Sequence, residues 1–246
     1  MATPSATDIY CDMAATIFHQ PVNKKDHPEL RQTGKNTVLG CGFGMGKDKF
    51  RARYAPKEDI VFAHNCIQAY RTDFAPLVPK LWYALEEAAV EAVWTGRPHE
   101  SHGILYKMED GWLTCRLPSG RKLWYRDPRR ERRVMPWSTD EKPDVRPGWS
   151  YRAFKMGQWK TIYAYGGLLT ENVVQASARD MLVHAMFTCE ENGLPVVLTV
   201  HDEIVTEAPG DNSKLLEDIM TDQPAWVRER QIPVGAETFS AERYRK

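Results

Sequence analysis

The sequence predicts a mixed α+β fold, because helical and strand patterns fall in separate blocks along the chain. Apolar residues recur at helical spacing over 8–19, 75–94 and 167–192. Residues 104–125 instead contain short apolar runs separated by turn residues, which is the pattern of strands. Two β-branched runs on either side of 201–203 predict a β-hairpin. The order of helices, small sheet, helix and hairpin is typical of an α+β protein.

A further helix is predicted to begin near Asp26, a plausible N-cap. Glu29 lies three residues on, as in a capping box, and Pro28 falls in the first turn, where a missing N–H does no harm. The helix should run to Gly40 or beyond. Glycines then occupy every second position to Gly46, and each costs roughly 1 kcal/mol in a helix interior, so the helix should end or deform there.

Three short strands are predicted within GILYKM, GWLTCRL and RKLWY, joined by turns at 109–111 and 118–120. Residues 136–149 contain three prolines and many charges and are predicted to form a loop. The 167–192 helix should stop at Gly193. One side of the 75–94 helix should be buried, and its apolar positions are Leu77, Leu81, Leu85, Ala88 and Ala92.

Composition excludes some classes of protein but does not identify the function. The 246 residues carry 33 basic and 33 acidic side chains, so any contact with nucleic acid needs a local basic patch. The densest patch, Arg121–Arg133, is either a DNA or partner surface or a solvated loop. Five cysteines without a C-x-x-C pair argue against a disulfide framework or a zinc ribbon. No apolar run of about 18 residues could span a bilayer, so we expect a soluble, cytoplasmic protein with no membrane partner.

The predicted hairpin carries His201, Asp202 and Glu203 at its tip, between strands that pattern as buried. An unpaired carboxylate in a buried position costs several kcal/mol of desolvation. A bound divalent cation would explain the acidic pair, because carboxylate oxygens are preferred magnesium ligands. An ordinary polar hairpin turn is the alternative.

Arg31, Lys35, Leu39 and Phe43 are spaced by four, which places all of them along one side of a helix. Two cations followed by two apolar groups could hold a triphosphate at one end and pack a base and sugar at the other. An amphipathic helix with exposed cations has the same pattern.

Asn172 and Gln175 lie three apart on the 167–192 helix and so share a face. Each amide offers a donor and an acceptor, which suits the minor-groove edge of a base pair. Two solvated amides are the alternative.

Taken in order, these elements resemble family A DNA polymerases, which carry a fingers-helix motif, Arg-x3-Lys-x3-Phe-Gly-x2-Tyr-Gly, and a palm hairpin with His-Asp-Glu. The first appears here as Arg31-x3-Lys35-x3-Leu39-Gly40-x2-Phe43-Gly44, and the second, about 160 residues on, as His201-Asp202-Glu203. DIYCDMAATIF resembles the helix before the fingers motif, YGGLLTENVVQ the palm helix at the primer–template minor groove, and residues 224–246 the terminal palm strand of phage members. The resemblance covers nearly the whole chain.

The resemblance implies a polymerase palm sheet with helical fingers, in an incomplete right-hand architecture. Residues 1–160 would be the fingers region with a small β insertion, and 161–246 the palm region, with its helix and hairpin. The implied reaction is DNA-templated nucleotidyl transfer from a dNTP to a primer 3′-OH, with Mg2+ as cofactor. The implied partners are primer–template DNA and dNTP, in the host cytoplasm if a phage encodes the protein.

The nucleotide-binding roles carry over position by position. Arg31 and Lys35 would hold the triphosphate, and Lys35 would also protonate the leaving pyrophosphate. Leu39 and Phe43 stand where Phe and Tyr are usual in the family and keep an apolar wall. Tyr10 stands where a phosphate-contacting His is common.

The metal-binding and DNA-binding roles fall in the last third of the chain. Asp202 would bind the catalytic metals, and Glu203 would support it. His201 and Gln175 would hold the primer terminus and the nascent minor groove, with Asn172 on the same helix.

The family's first metal-binding aspartate is not matched. It lies upstream of DIYCDMA within Asp-Tyr-Ser-x-x-Glu-x-Arg, and residues 1–7 contain nothing like it. In-line phosphoryl transfer uses two metals about 4 Å apart, for which Asp202 alone is a poor anchor. We therefore expect a fragment or split subunit that needs an N-terminal polymerase polypeptide carrying the first catalytic Asp.

Three other functions share parts of this pattern. A non-catalytic DNA-binding protein derived from a polymerase would keep every motif. A metal-dependent phosphohydrolase can carry a His-Asp doublet, but usually on helices with further His ligands. A single-subunit RNA polymerase typically has His-Asp-Ser, so Glu203 favours DNA synthesis.

Overall fold

The computed structural model describes residues 8–135 and 138–244. It contains helices and antiparallel sheets and confirms the α+β prediction. The chain forms two compact units. The first contains the described residues up to Cys115 together with Leu123–Asn172, and the second contains Arg116–Lys122 and the chain from Val173 onward.

Residues 9–95 contain the helices that precede the sheet. Asp8 caps the first of them, because its carboxylate accepts from the backbone N–H groups of Tyr10 at 3.0 Å and Cys11 at 3.4 Å. The fourth continues directly into a π-helical segment, Ala69–Phe74. The helices are α1 (Ile9–Phe18), α2 (Pro28–Cys41), α3 (Lys47–Tyr54), α4 (Ile60–Gln68) and α5 (Leu77–Thr95).

The predicted N-cap of α2 is wrong by one residue. His27 occupies the cap position without a side-chain hydrogen bond, and Pro28 is the first helical residue. The carboxylate of Asp26 instead accepts from Asn23 Nδ2 at 2.9 Å within the preceding turn. On α5 the predicted apolar side is confirmed at Leu85, Ala88 and Ala92, which are buried, whereas Leu77 is exposed.

A cluster of buried side chains joins the helices of the first unit. Met13 of α1, Cys41 of α2, Phe50 of α3 and Cys66 of α4 pack together with Tyr70 of the π-helical segment. Burying an aromatic or Met side chain contributes roughly 1.5–3 kcal/mol, so this cluster holds α1 and α2 in place.

A six-stranded antiparallel sheet follows, with the strands in chain order. The three predicted strands are present. Three strands were not predicted: His99–Ser101 and the two between Val145 and Tyr163. The predicted loop over 136–149 is wrong from Val145 onward; residues 136–137 lie outside the described chain. The strands are β1 (His99–Ser101), β2 (Ile104–Glu109), β3 (Trp112–Arg116), β4 (Lys122–Val134), β5 (Val145–Lys155) and β6 (Gln158–Tyr163).

The last part of the chain contains α6 (Gly166–Glu191), β7 (Val196–Val200), β8 (Glu203–Thr206), α7 (Ser213–Thr221) and α8 (Ala225–Arg228). The predicted helix is confirmed, and Gly193 follows it with a φ of +72°, which favours glycine. The predicted hairpin is confirmed as the antiparallel pair β7–β8. No strand occurs among residues 229–244, so the expected terminal palm strand is not formed in the described part of that segment.

Candidate functional site

Helices α1 and α2 cross in backbone contact at Gly34. A Cβ atom there would lie 2.1 Å from the carbonyl oxygen of Tyr10 and 2.9 Å from the backbone nitrogen of Ala14. Only glycine allows this approach. The crossing places Tyr10 of α1 beside the side of α2 that carries the two predicted phosphate-binding cations.

Tyr10, Arg31 and Lys35 form one cluster. The Arg31 guanidinium carbon lies 5.2 Å from the centroid of the Tyr10 ring, and Lys35 Nζ lies 5.9 Å from it. Both distances are within the range of cation–π attraction. Three of the five residues predicted to bind nucleotide therefore share one surface.

Arg31 also forms an ion pair that the sequence did not reveal. Its Nε donates to Asp8 Oδ2 at 2.6 Å, and both side chains are half-buried. This hydrogen bond lowers the pKa of Asp8 and raises the pKa of Arg31. Asp8 thus caps α1 and neutralises a predicted triphosphate ligand at the same time.

The other two predicted nucleotide-binding residues are placed differently. Leu39 lies on α2 and is exposed. Phe43 is not on the helix as predicted, because α2 ends at Cys41 and the chain turns through Gly44, whose φ is +85°. Trp82 Nε1 donates to the carbonyl of Gly42 at 3.0 Å and so fastens this turn to α5.

The first residues of α6 pack closely on the same turn. A Cβ atom at Gly167 would lie 2.2 Å from the carbonyl oxygen of Phe43, and one at Gly166 would lie 2.3 Å from the carbonyl oxygen of Trp82. The Gly166 N–H also donates to Glu86 Oε2 at 3.0 Å. The glycine pair therefore fixes the Phe43 turn against α5 and the start of α6.

The predicted metal-binding residues lie at the tip of the β7–β8 hairpin. Val200 pairs with Glu203, so His201 and Asp202 form the connection, and His201 has a φ of +55°. Both are exposed, whereas Glu203 is half-buried and accepts a hydrogen bond from the Tyr244 hydroxyl at 3.0 Å.

The expectation that both strands of this hairpin are buried is wrong for part of β7, whereas Ile204 of β8 is buried. Val197 and Leu198 of β7 are exposed, as are the two turn residues. Asp202 therefore bears no large desolvation cost, and the argument for a metal from burial does not hold. An exposed carboxylate at a hairpin tip remains chemically suited to be one ligand of Mg2+.

No group of three or more His, Cys, Asp or Glu side chains positioned to hold a metal ion occurs in residues 8–135 or 138–244. Asp202 and its neighbour Glu203 are thus a partial donor set. A two-metal centre would need further carboxylates beside them.

Asn172, one of the two predicted minor-groove residues, has a partner within the protein. Its Nδ2 donates to the Tyr125 hydroxyl at 3.1 Å. Burial raises the pKa of Tyr125, which keeps that hydroxyl protonated. Gln175, three residues on, is exposed.

Much of the predicted basic patch makes contacts within the protein. Arg129 pairs with Asp127 at 2.7 Å, and Arg130 Nε donates to the carbonyl of Val93 at 3.3 Å. Arg121 Nε lies 2.5 Å from Asp180 Oδ1, and Arg133 Nη1 lies 3.3 Å from Glu86 Oε1. These contacts favour a structural role for most of the patch.

No helix of the described chain carries an apolar stretch long enough to cross a lipid bilayer.

Comparison with known proteins relates the chain to a phage protein. No protein-family model matches the chain. The chain is 33% identical over 245 residues to a protein named DNA polymerase from Bacillus phage SP02. The match covers 97% of this chain but 36% of the phage protein. The chain is therefore, over nearly its whole length, a relative of one part of a phage DNA polymerase.

Proposed function

We propose that the chain is the C-terminal, nucleotide-binding portion of a family A DNA polymerase and transfers nucleotides from dNTP to a primer 3′-OH. The observation that carries the proposal is the cluster of Tyr10, Arg31 and Lys35, in a chain of which 97% matches one part of a phage DNA polymerase. In this proposal residues 1–160 are the fingers region, with the six-stranded sheet as its insertion, and 161–246 are the palm region.

The nucleotide would bind along α2. Lys35 and Arg31 provide the positive charge for a triphosphate. The Lys35 ammonium is a compact charge, and the planar Arg31 guanidinium can donate two parallel hydrogen bonds to one phosphate. Leu39, exposed one turn beyond Lys35, offers an apolar surface to the base or sugar, with Phe43 beyond it. Lys35 would also donate a proton to the leaving pyrophosphate, where negative charge develops during transfer.

Magnesium would be held at the β7–β8 tip, with Asp202 as ligand and Glu203 in support. When bound, the metal neutralises charge on the attacking and leaving oxygens. His201 and Gln175 would contact the primer terminus and the nascent minor groove. Asn172 would join them through the part of its amide that Tyr125 does not use.

In this proposal the remaining metal ligands would come from polymerase sequence outside these 246 residues. Two facts support this: the described chain has no carboxylate cluster, and the chain spans 36% of the relative it matches. We therefore propose an N-terminal polymerase polypeptide as partner, carrying the first catalytic Asp.

Reconstitution tests the proposal. The chain with primer–template DNA, Mg2+ and four dNTPs should give no extension. Adding a polypeptide that contains an Asp-Tyr-Ser-x-x-Glu strand should give extension, and with single dNTPs only the complementary one should be incorporated. Robust extension by the chain alone would contradict the proposed gap. A stable complex of both polypeptides on DNA without extension would contradict the polymerase assignment.

A non-catalytic DNA-binding protein derived from a polymerase is the second candidate. The ion pair that neutralises Arg31 favours it, because an active triphosphate site would leave this guanidinium unneutralised. The same reconstitution separates the two functions, since this candidate predicts DNA binding without incorporation.

A further inference from the structure

One face of the six-stranded sheet carries aromatic rings and arginines side by side. We define the aromatic–arginine face by six residues on four adjacent strands: Trp112 of β3, Trp124 and Arg126 of β4, Arg152 and Phe154 of β5, and Trp159 of β6. None of them has a role in the nucleotide or metal sites proposed above.

The strand register shows that the five residues of β4, β5 and β6 share a face. Arg126 pairs with Arg152, and Phe154 pairs with Trp159. Side chains alternate along a strand, so Trp124 lies on the same side as Arg126, and Arg152 on the same side as Phe154. Four strands span about 14 Å at their usual spacing, enough for a short segment of an extended polymer.

The contacts join the six residues into one surface. The Arg126 guanidinium lies 4.6 Å from the Trp159 ring centroid and 5.8 Å from that of Trp112. Arg152 lies 5.9 Å from the Trp159 ring. Trp112 meets Trp124 edge to face at 6.2 Å, and the rings of Phe154 and Trp159 are 5.5 Å apart.

The opposite face of the sheet provides its core. Tyr125, Trp149 and Tyr151 are buried there and contact one another at 4.9–5.6 Å. In contrast, Trp124, Phe154 and Trp159 expose 51%, 61% and 46% of their surface. The rings of Trp124, Phe154 and Trp159 are thus not required to close the core.

The two arginines of this face differ from those nearby. Arg129 and Arg133 pair with carboxylates, whereas neither Arg126 nor Arg152 forms an ion pair in the described chain. In the described chain their guanidinium groups contact aromatic rings. A ligand that brings negative charge and flat rings together would therefore be complementary to the surface.

We propose that the aromatic–arginine face binds single-stranded DNA. Unpaired bases stack on exposed aromatic side chains, and arginines contact the phosphates between them. Duplex DNA would not suit the face, because its bases are already stacked on each other. A second copy of the chain would place Arg126 and Arg152 against the same positive charges. The site is separate from primer–template binding in the palm and extends the contact surface of the proposed polymerase.

Fluorescence anisotropy with a labelled oligo(dT) tests this in the chain alone, so the result does not depend on catalysis. Trp159→Ala and Arg126→Ala should each weaken binding about tenfold. Arg126→Ala should also reduce the slope of log K against log salt by about 0.7, the value for one phosphate contact on a single strand. Neither substitution should weaken the binding of a duplex of the same length, which the proposed palm contacts would hold.

Two variants serve as matched controls. Lys160→Ala removes a charge from the opposite side of β6, and Tyr83→Ala removes an exposed ring from α5; neither should change the affinity. Thermal unfolding should show that all four variants are folded. If Trp159→Ala were unfolded, saturable quenching of wild-type tryptophan fluorescence by oligo(dT) would still test the face. Equal weakening of oligo(dT) binding by face and control variants, or equal weakening of duplex and oligo(dT) binding by the two face variants, would overturn the proposal.

Discussion

Arg31 has two competing partners in this account: Asp8 in the structure and a triphosphate in the proposed function. Asp8→Asn should separate them, since asparagine is an equally good N-cap for α1 but carries no charge. We expect this variant to bind a fluorescent dNTP several-fold more tightly than wild type, measured by titration. Asp12→Asn is the control, because Asp12 is an exposed acid on the same helix. Equal effects of the two substitutions would contradict a specific role for the Asp8–Arg31 pair.

The same ion pair predicts a pH dependence of stability. The pKa of Asp8 is lower in the folded protein than in the unfolded chain, mainly through its hydrogen bond to Arg31. The stabilisation is therefore present above the unfolded pKa of about 4 and is lost as the pH falls through the folded value. The melting temperature of wild type should approach that of Asp8→Asn between about pH 5 and pH 2. A constant difference over that range would contradict the assignment.

At the residue scale, the sequence predicted which side chains share a helix side better than it predicted their environment. The fourfold spacing correctly indicated that Arg31 and Lys35 share a side of α2. It failed at Phe43, because the run of glycines ends the helix two residues earlier. The Asp8–Arg31 pair joins residues 23 apart, and no local pattern indicates such a contact.

At the scale of elements, the crossing of α1 and α2 depends on Gly34. Gly34→Ala adds a Cβ that would meet the Tyr10 carbonyl at 2.1 Å, and backbone cannot move aside cheaply. Alanine gains about 1 kcal/mol in helix propensity, but overpacking should cost more than this. We therefore expect the free energy of unfolding, measured in urea, to fall by about 2 kcal/mol. Gly46→Ala is the control, because nothing lies within 4 Å of a Cβ there. A neutral Gly34→Ala would show that the helices are not in close contact.

The elements that the sequence missed have strand-like backbones but loop-like composition. Strand β5 begins at Val145 and contains Arg146 and Pro147, residues that ordinarily indicate a loop. The buried Trp149 and Tyr151 on its core face were the available signal. Conversely, β7 was predicted as buried because it is wholly apolar or β-branched, yet its two-stranded sheet leaves Val197 and Leu198 exposed.

At the scale of the whole molecule, all five cysteines are buried free thiols. Burial raises the pKa of Cys41 and Cys115 to about 12 and that of Cys66 to about 11. The thiols of the folded protein should therefore react slowly with a disulfide reagent at pH 8. After unfolding in guanidinium, all five thiols should react rapidly. Rapid reaction of several thiols in the native protein would show that the helical core is open.

The two units carry different parts of the proposed chemistry. Tyr10, Arg31 and Lys35 belong to the first unit, and Asp202 belongs to the second. The proposed function uses both, together with carboxylates from the rest of a polymerase. The assignment of the hairpin as a magnesium site therefore depends on Asp202.

The most direct measurement is the single-turnover incorporation rate of the reconstituted polymerase with Asp202→Asn. A metal ligand contributes several kcal/mol to phosphoryl transfer, so we expect the rate to fall about a thousandfold, with DNA affinity largely unchanged. Glu207→Gln, an exposed acid just beyond β8, should keep near-normal rates. Near-normal incorporation by Asp202→Asn would contradict the account, because the hairpin would then hold no catalytic metal.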